Sequence, residues 1–132
     1  MKYLVRLNAL TNTAEVIPVQ PGTNLLKVAY TLMECNSIQL LPLFNRRLPS
    51  GYEAVCDENT FGKVLVFNPL ASWLYGCDEH GKPIVNNVII FRIEEDDFSL
   101  MSEDEARKIA DDLNDQADEI YSLTLHKAMG NK

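Results

Sequence analysis

The chain has little of the material from which most catalytic and metal-binding sites are built. Its 132 residues include two histidines, three cysteines with no C-x-x-C spacing, and six glycines that are scattered along the sequence. This pattern argues against a zinc ribbon, a disulfide framework and a glycine-rich phosphate loop. We therefore expect neither a metal nor a cofactor, and we expect the cysteines to be free thiols.

Long apolar runs are also missing. A membrane-spanning helix needs about 20 apolar residues, and the most apolar segment, residues 85–93, is interrupted by Asn86 and Asn87. The opening residues MKYLVR alternate charged and apolar side chains, without the apolar core of a signal peptide. These features predict a cytoplasmic protein with no membrane partner.

Negative charge is what the sequence has in excess, and it is concentrated in one segment. The net charge is −7, yet residues 94–119 hold twelve acidic and two basic residues, while the rest of the chain holds seven acidic and ten basic residues. A segment this acidic repels the phosphates of a nucleic acid. We therefore expect no direct nucleic-acid binding.

The apolar residues, 46% of the chain, are sufficient for one hydrophobic core. Apolar alternation and turn residues predict strands at residues 3–7, 14–19, 37–44, 52–57, 63–67 and 85–93, the first two as a β-hairpin and the last as a central strand. The predicted fold is α+β: a mostly antiparallel sheet of about five strands, two packing helices and a long acidic C-terminal helix.

Capping residues mark the two packing helices. Thr23 is predicted to cap the first helix, which ends near Asn36. Asn68, Pro69 and Gly76 stand in the order of cap, first turn and terminus for a short second helix. A turn is expected after it, at residues 78–82.

The C-terminal helix is predicted from a capping box formed by Ser102 and Glu105. Apolar residues then recur at helical spacing to about Lys127, with most acidic residues outside their stripe. We expect residues 1–97 to form the sheet domain and residues 98–132 to form an acidic helix that packs on it or extends from it.

Only one set of residues offers enzyme chemistry, namely Cys77, Asp78 and His80. A nucleophile needs a base beside it, and His80 lies three residues from Cys77. Neighbours so close in sequence seldom have the required geometry, and a solvated turn histidine next to a buried free thiol is the favoured interpretation. We therefore predict that the protein is not an enzyme, and keep a small hydrolase as a less favoured alternative.

Two kinds of binding site remain. The first is a protein-contact surface on the acidic helix, or on the loop at residues 45–51, although the acidic residues are also typical of a simply solvated helix face. The acidic candidates are Asp111, Asp112, Asp115, Asp118 and Glu119. The second is a site for a small, nucleotide-like ligand around the short helix, formed by Asn68, Trp73 and Tyr75, whose alternative role is core packing.

A family resemblance is carried by five segments in order along the chain. They are LKVAYTLM (26–33), SIQLLPL (37–43), YEAVCDE (52–58), FNPLAS (67–72) and PIVNNVII (83–90). From residue 2 to about residue 97 the chain resembles the domain of unknown function 3846 family, short proteins of bacterial phages, plasmids and integrated elements. Members carry a glycine pair before the second segment and a glycine within the last. This chain has Cys35, Asn36 and Asn86 there, and asparagine tolerates the same left-handed backbone.

The resemblance implies an accessory protein of a mobile element with a small α+β fold, and it implies no activity. We therefore expect a protein-interaction module that contacts a host-encoded or element-encoded protein. A homodimer is a further option if the last helix exposes part of its apolar stripe.

Overall fold

A six-stranded antiparallel sheet organises the computed structural model, which describes residues 1–129. Its strands are β1 (Lys2–Asn8), β2 (Thr13–Val19), β3 (Ile38–Leu40), β4 (Tyr52–Asp57), β5 (Val88–Glu94) and β6 (Asp97–Ser99). The order across the sheet is β2-β1-β5-β4-β3, and β6 pairs with the end of β5. Every pairing is antiparallel, which confirms the predicted α+β class.

Strand β5 lies at the centre of the sheet, as predicted. It pairs with β1 on one side and with β4 on the other. Val88 and Ile90 face one side of the sheet and Ile89 and Phe91 the other, and none of the four is more than 1% exposed. Both faces of the sheet are therefore covered.

Helices provide this cover, and residues 1–129 contain five of them. They are α1 (Leu25–Met33), α2 (Pro69–Tyr75), α3 (Cys77–His80), α4 (Glu103–Asp115) and α5 (Ala117–Ala128). Helix α1 packs on one side of the sheet, which we call the α1 face. Helices α2, α4 and α5 pack on the other side, the α4 face, where the larger apolar cluster lies.

The capping signals of α2 and α4 are confirmed. The Asn68 side chain accepts a hydrogen bond from the backbone of Ala71, and Gly76 ends α2 with a φ of +97°. At α4, the hydroxyl of Ser102 accepts from the backbone of Glu105, whose carboxylate accepts from the backbone of Ser102.

The predicted caps of α1 were wrong by one or two residues. Asn24, rather than Thr23, accepts the capping hydrogen bond from Lys27, and the Thr23 hydroxyl donates to the carbonyl of Gln20. The left-handed residue that ends the helix is Glu34, with a φ of +53°. Asn86 does adopt the left-handed backbone, with a φ of +65°.

Two predicted elements differ from the structure between β4 and β5. Residues 63–67 form no strand: Val64 is 86% exposed, Leu65 is 57% exposed, and only Phe67 makes an isolated bridge, to Val85. Contact with the segment before β5 is confined to the end of this stretch, where the N–H of Asn86 also donates to the carbonyl of Val66 at 2.7 Å. The turn expected at residues 78–82 begins instead with the short helix α3.

The C-terminal helix is divided, so the prediction of one continuous helix was wrong. Gln116 separates α4 from α5 with φ −106° and ψ 3°. Helix α4 packs against β1 and β2, whereas α5 packs against α2 and α3. The chain must change direction between these two surfaces. The expected boundary between residues 97 and 98 falls inside β6, and residues 130–132 lie outside the described part of the chain.

Helix α4 is also bonded to the outer edge of the sheet. The side-chain amide of Asn114 accepts from the backbone N–H of Ala14 in β2 at 2.8 Å and donates to its carbonyl at 2.9 Å. An edge strand directs the N–H and C=O of alternate residues outward, and the next outward positions are Val16 and Pro18. Since proline has no N–H, this edge presents few free groups for another strand.

Candidate functional site

A cavity of about 540 Å³ opens on the α4 face, between the loop at residues 45–51, α2 and α4. We call it the Trp73 cavity. Its lining residues are Arg46, Arg47, Leu48, Pro49, Tyr52, Trp73, Glu105, Lys108, Ile109, Asp112, Leu113 and Gln116. The two elements that the sequence nominated as contact surfaces, the loop and the acidic helix, therefore meet at one cavity.

Arg47 fixes one wall of the cavity. Its guanidinium lies 4.6 Å from the centre of the Trp73 ring, a cation–π contact, and donates to the Trp73 carbonyl at 2.7 Å. It also donates to both carboxylate oxygens of Asp78, at 2.6 and 3.0 Å. The bond from Arg47 holds the pKa of Asp78 below its ordinary value. The charge of Arg47 is thus already matched by an acidic residue.

Arg46 holds the loop in shape. Its own backbone is left-handed, with a φ of +45°. Its guanidinium donates to the carbonyls of Pro49 and Tyr52 and to the carboxylate of Glu53, the last at 2.9 Å. Because these bonds cross the loop, the wall of the cavity is formed before any ligand arrives.

Glu105 anchors the opposite wall. Besides its role in the capping box, its carboxylate accepts hydrogen bonds from the hydroxyl of Tyr52 and, at 2.6 Å, from Arg92. The bond from Tyr52, with those from Ser102 and the charge of Arg92, lowers the pKa of Glu105 to about 2. Burial and the Glu105 bond raise the pKa of Tyr52. Glu105 is therefore ionised at neutral pH and is not suited to proton transfer.

The rim of the cavity along α4 carries charge without internal partners. Lys108, Asp112 and Gln116 are exposed and follow one another at four-residue spacing. Within residues 1–129, neither Lys108 nor Asp112 forms an ion pair. The charges of Lys108 and Asp112 are therefore available to pair with charges on a partner.

The five predicted acidic contact residues, Asp111, Asp112, Asp115, Asp118 and Glu119, are all exposed. They define what we call the acidic surface. None of the five forms an ion pair within the described chain, and only Asp112 lines the Trp73 cavity. Because α4 and α5 are separate helices, this surface is divided between them at Gln116.

The three residues predicted around a small ligand lie in different environments. Asn68 is fully buried, and its amide donates to the carbonyls of Leu7 and Asn86 at 3.0 and 2.8 Å. Tyr75 packs edge-on against His80 and near Phe44. Trp73 alone lines the Trp73 cavity. Asn68 serves the sheet and the helix cap.

The residues considered for hydrolysis are each bonded to different groups. Cys77 is fully buried, its thiol donates to the carbonyl of Thr124, and burial raises its pKa. His80 lies with Nε2 3.1 Å from the Tyr75 carbonyl, and its Nδ1 accepts from the backbone of Lys82. Asp78 is held by Arg47. The three side chains do not form a nucleophile–base–acid chain.

Other structural observations bear on function. Within residues 1–129, no group of three or more His, Cys, Asp and Glu side chains is arranged to hold a metal ion. No helix in the same range is long and apolar enough to cross a membrane.

Comparison with protein-family models, curated proteins and solved structures finds no match. The resemblance to the domain of unknown function 3846 family therefore stays a prediction from the segments quoted above.

Sequence reasoning nominated half of the twelve residues that line the Trp73 cavity, namely Trp73, Asp112 and four residues of the loop at residues 45–51, and missed the other half. Arg46 and Arg47 were visible as an adjacent basic pair, and Glu105 as part of a capping box. Nothing in the sequence indicates that Glu105 also meets Tyr52, which is 53 positions away. That contact depends on how α4 packs on the sheet.

Proposed function

We propose that this chain is a non-enzymatic binding module that contacts a protein partner through the Trp73 cavity and the adjoining acidic surface. The observation that carries the proposal is the meeting of the loop at residues 45–51 with α4 around one cavity. An accessory role in a mobile element agrees with such a module, since accessory proteins act through the proteins they contact.

The composition of the cavity supports a protein partner. Trp, Tyr and Arg are the residue types that most often dominate binding energy at protein interfaces. The cavity presents Trp73, Tyr52, Arg46 and Arg47 together. Their mutual bonds hold these groups in place, so that little ordering entropy is lost on binding.

The acidic surface supports a basic partner. Exposed carboxylates without internal ion pairs attract a positively charged protein at long range and speed its association. The partner would be encoded by the host or by the element. A second copy of this acidic chain is disfavoured as partner at this surface, because like charges would meet.

The test is a pull-down from a lysate of the cells that make the protein, with matched variants. We expect the wild type to retain at least one protein. Trp73→Ala or Asp112→Lys should retain about tenfold less of it. Glu58→Lys is the control, because Glu58 is another exposed acidic residue without an ion pair and lies outside the cavity. An identical set of retained proteins for all four chains would refute the proposal.

A small-ligand site is the second candidate, because the cavity volume of about 540 Å³ lies within the range of about 300 to 1,000 Å³ that is typical of small-molecule sites. Thermal-shift measurements with nucleotides distinguish the two functions. A ligand present at about 100 times its dissociation constant stabilises the folded protein by about 2.7 kcal/mol. The absence of any shift would remove this candidate.

A further inference from the structure

The floor of the Trp73 cavity is apolar, although its rim is charged. Leu48, Ile109 and Leu113 are each at least 94% buried, yet all three line the cavity. The half-buried rings of Trp73 and Tyr52 complete the floor. An apolar floor of this kind gains free energy by removing an apolar side chain from water. It offers no such gain to a charged or strongly hydrated group.

The indole N–H of Trp73 adds one directional group. No described residue accepts a hydrogen bond from it, and it is not among the buried polar atoms that lack a partner. The N–H therefore keeps some accessible surface. A peptide carbonyl of a bound segment is a suitable acceptor.

The charges around the cavity indicate which charge a bound segment should carry. Arg47 is matched by Asp78, Arg46 by Glu53, and Glu105 by Arg92. The unmatched rim charges are those of Lys108 and Asp112. Lys108 lies one helical turn from both Asp104 and Asp112, and once the ion pairs of Glu103 and Glu105 are set aside, α4 keeps four acidic residues against Lys108. The field at the rim is therefore negative, and it favours a cation beside Asp112.

We infer that the Trp73 cavity receives an apolar side chain from a short segment of the partner, and that a lysine or arginine next to it pairs with Asp112. This inference rests on the proposed function and adds the chemistry of the partner. Acidic segments are excluded by repulsion from α4. Segments without an apolar anchor leave the floor of the cavity in contact with water.

The test is a selection of short random peptides, displayed on phage, against the full chain, with counter-selection against Trp73→Ala. We expect the enriched peptides to share a large apolar residue adjacent to Lys or Arg. Replacing that basic residue by Glu weakens binding to the wild type by about tenfold. Asp112→Lys binds the Glu-containing peptide better than the wild type does, because the charges are exchanged.

Asp112 is exposed, so Asp112→Lys keeps the fold and preserves the test even if Trp73→Ala unfolds the chain. Trp73→Phe, which retains an aromatic ring, is the second cavity variant. Three results overturn the inference: enrichment of acidic or uncharged peptides, no recovery in the charge exchange, or no peptide that prefers the wild type to the Trp73 variants. If the lysate partner still depends on Trp73 and Asp112, the proposed function survives that failure.

Discussion

The two faces of the sheet use the same device, an asparagine helix cap, to different ends. On the α1 face, Asn24 caps α1 from an exposed position with a single bond to Lys27. On the α4 face, Asn68 is fully buried and caps α2 while also bonding the carbonyls of Leu7 and Asn86. The comparison teaches that a side-chain amide ties α2 to the sheet on the α4 face, whereas the cap of α1 bonds only within its own helix.

The largest expected effect distinguishes these two caps directly. Asn68→Ala removes the bonds to the carbonyls of Leu7 and Asn86 and to the backbone N–H of Ala71, and we expect it to lower the free energy of unfolding by about 3 kcal/mol. Asn24→Ala removes an exposed cap and is expected to cost about 1 kcal/mol. Urea denaturation measures both, and Asn24→Asp, which keeps the acceptor, is the control. Equal losses at the two sites would contradict the comparison.

The second prediction concerns the bond between α4 and the sheet edge. Asn114→Ala removes both hydrogen bonds to Ala14, and we expect a loss of about 2 kcal/mol. Because the N–H and C=O of Ala14 are then free beside those of Val16, we also expect weak self-association at high concentration, measured by analytical ultracentrifugation. Asp115→Ala, at the neighbouring exposed position, is the control and should remain like the wild type.

The third prediction uses the pH dependence of stability. The pKa of Glu105 is lowered in the folded chain from an ordinary value of 4.5 to about 2. Its stabilising contribution is therefore complete above about pH 4.5 and is lost as the pH falls toward 2. Glu105→Gln should be less stable by about 1 kcal/mol at neutral pH, because bonds to a charged acceptor are the stronger ones.

Acid titration of thermal unfolding provides the measurement. The difference between wild type and Glu105→Gln should shrink as the pH falls from 4.5 to 2. The α1 face has no acidic residue in the first turn of its helix, so Asn24→Ala should show no such convergence. A constant difference across this pH range would argue against the assigned role of Glu105.

The smallest expected effect belongs to the acidic surface. Asp112→Asn should change the free energy of unfolding by less than about 0.5 kcal/mol, because the side chain is exposed and unpaired. The same substitution should nevertheless reduce the amount of partner that is retained. Chemical denaturation and the lysate experiment, applied to one preparation, test both statements. A large loss of stability would assign Asp112 to the fold rather than to binding.

Local signals predicted the elements whose hydrogen bonds close within a few residues. The hairpin of β1 and β2, the Asn68 cap with Pro69, and the Ser102–Glu105 capping box are of this kind. The predicted cap of α1 moved by one residue because Thr23 and Asn24 are both capable caps, and only the chain path selects between them. The predicted strand at residues 63–67 was wrong because Val64 and Leu65 stay exposed, and pairing with the segment before β5 is limited to Val66 and Phe67.

The site itself was predictable only in its parts. The acidic residues of α4, the loop at residues 45–51 and Trp73 could each be named from the sequence. Their meeting around one cavity requires α4 to cross the sheet and place Glu105 against Tyr52 and Arg92. Such contacts join residues far apart in the chain and leave no pattern at short spacing.

The sequence by itself determined the α+β class, the central apolar strand and the ends of α2 and α4, because periodicity and caps act over one or two turns of chain. The tertiary structure alone decided that the C-terminal segment divides into two helices at Gln116, where the sequence has no glycine or proline to predict a break. The physical reason is that α4 and α5 bury their apolar stripes against differently placed surfaces, the sheet for one and α2 with α3 for the other. A single straight helix cannot satisfy both.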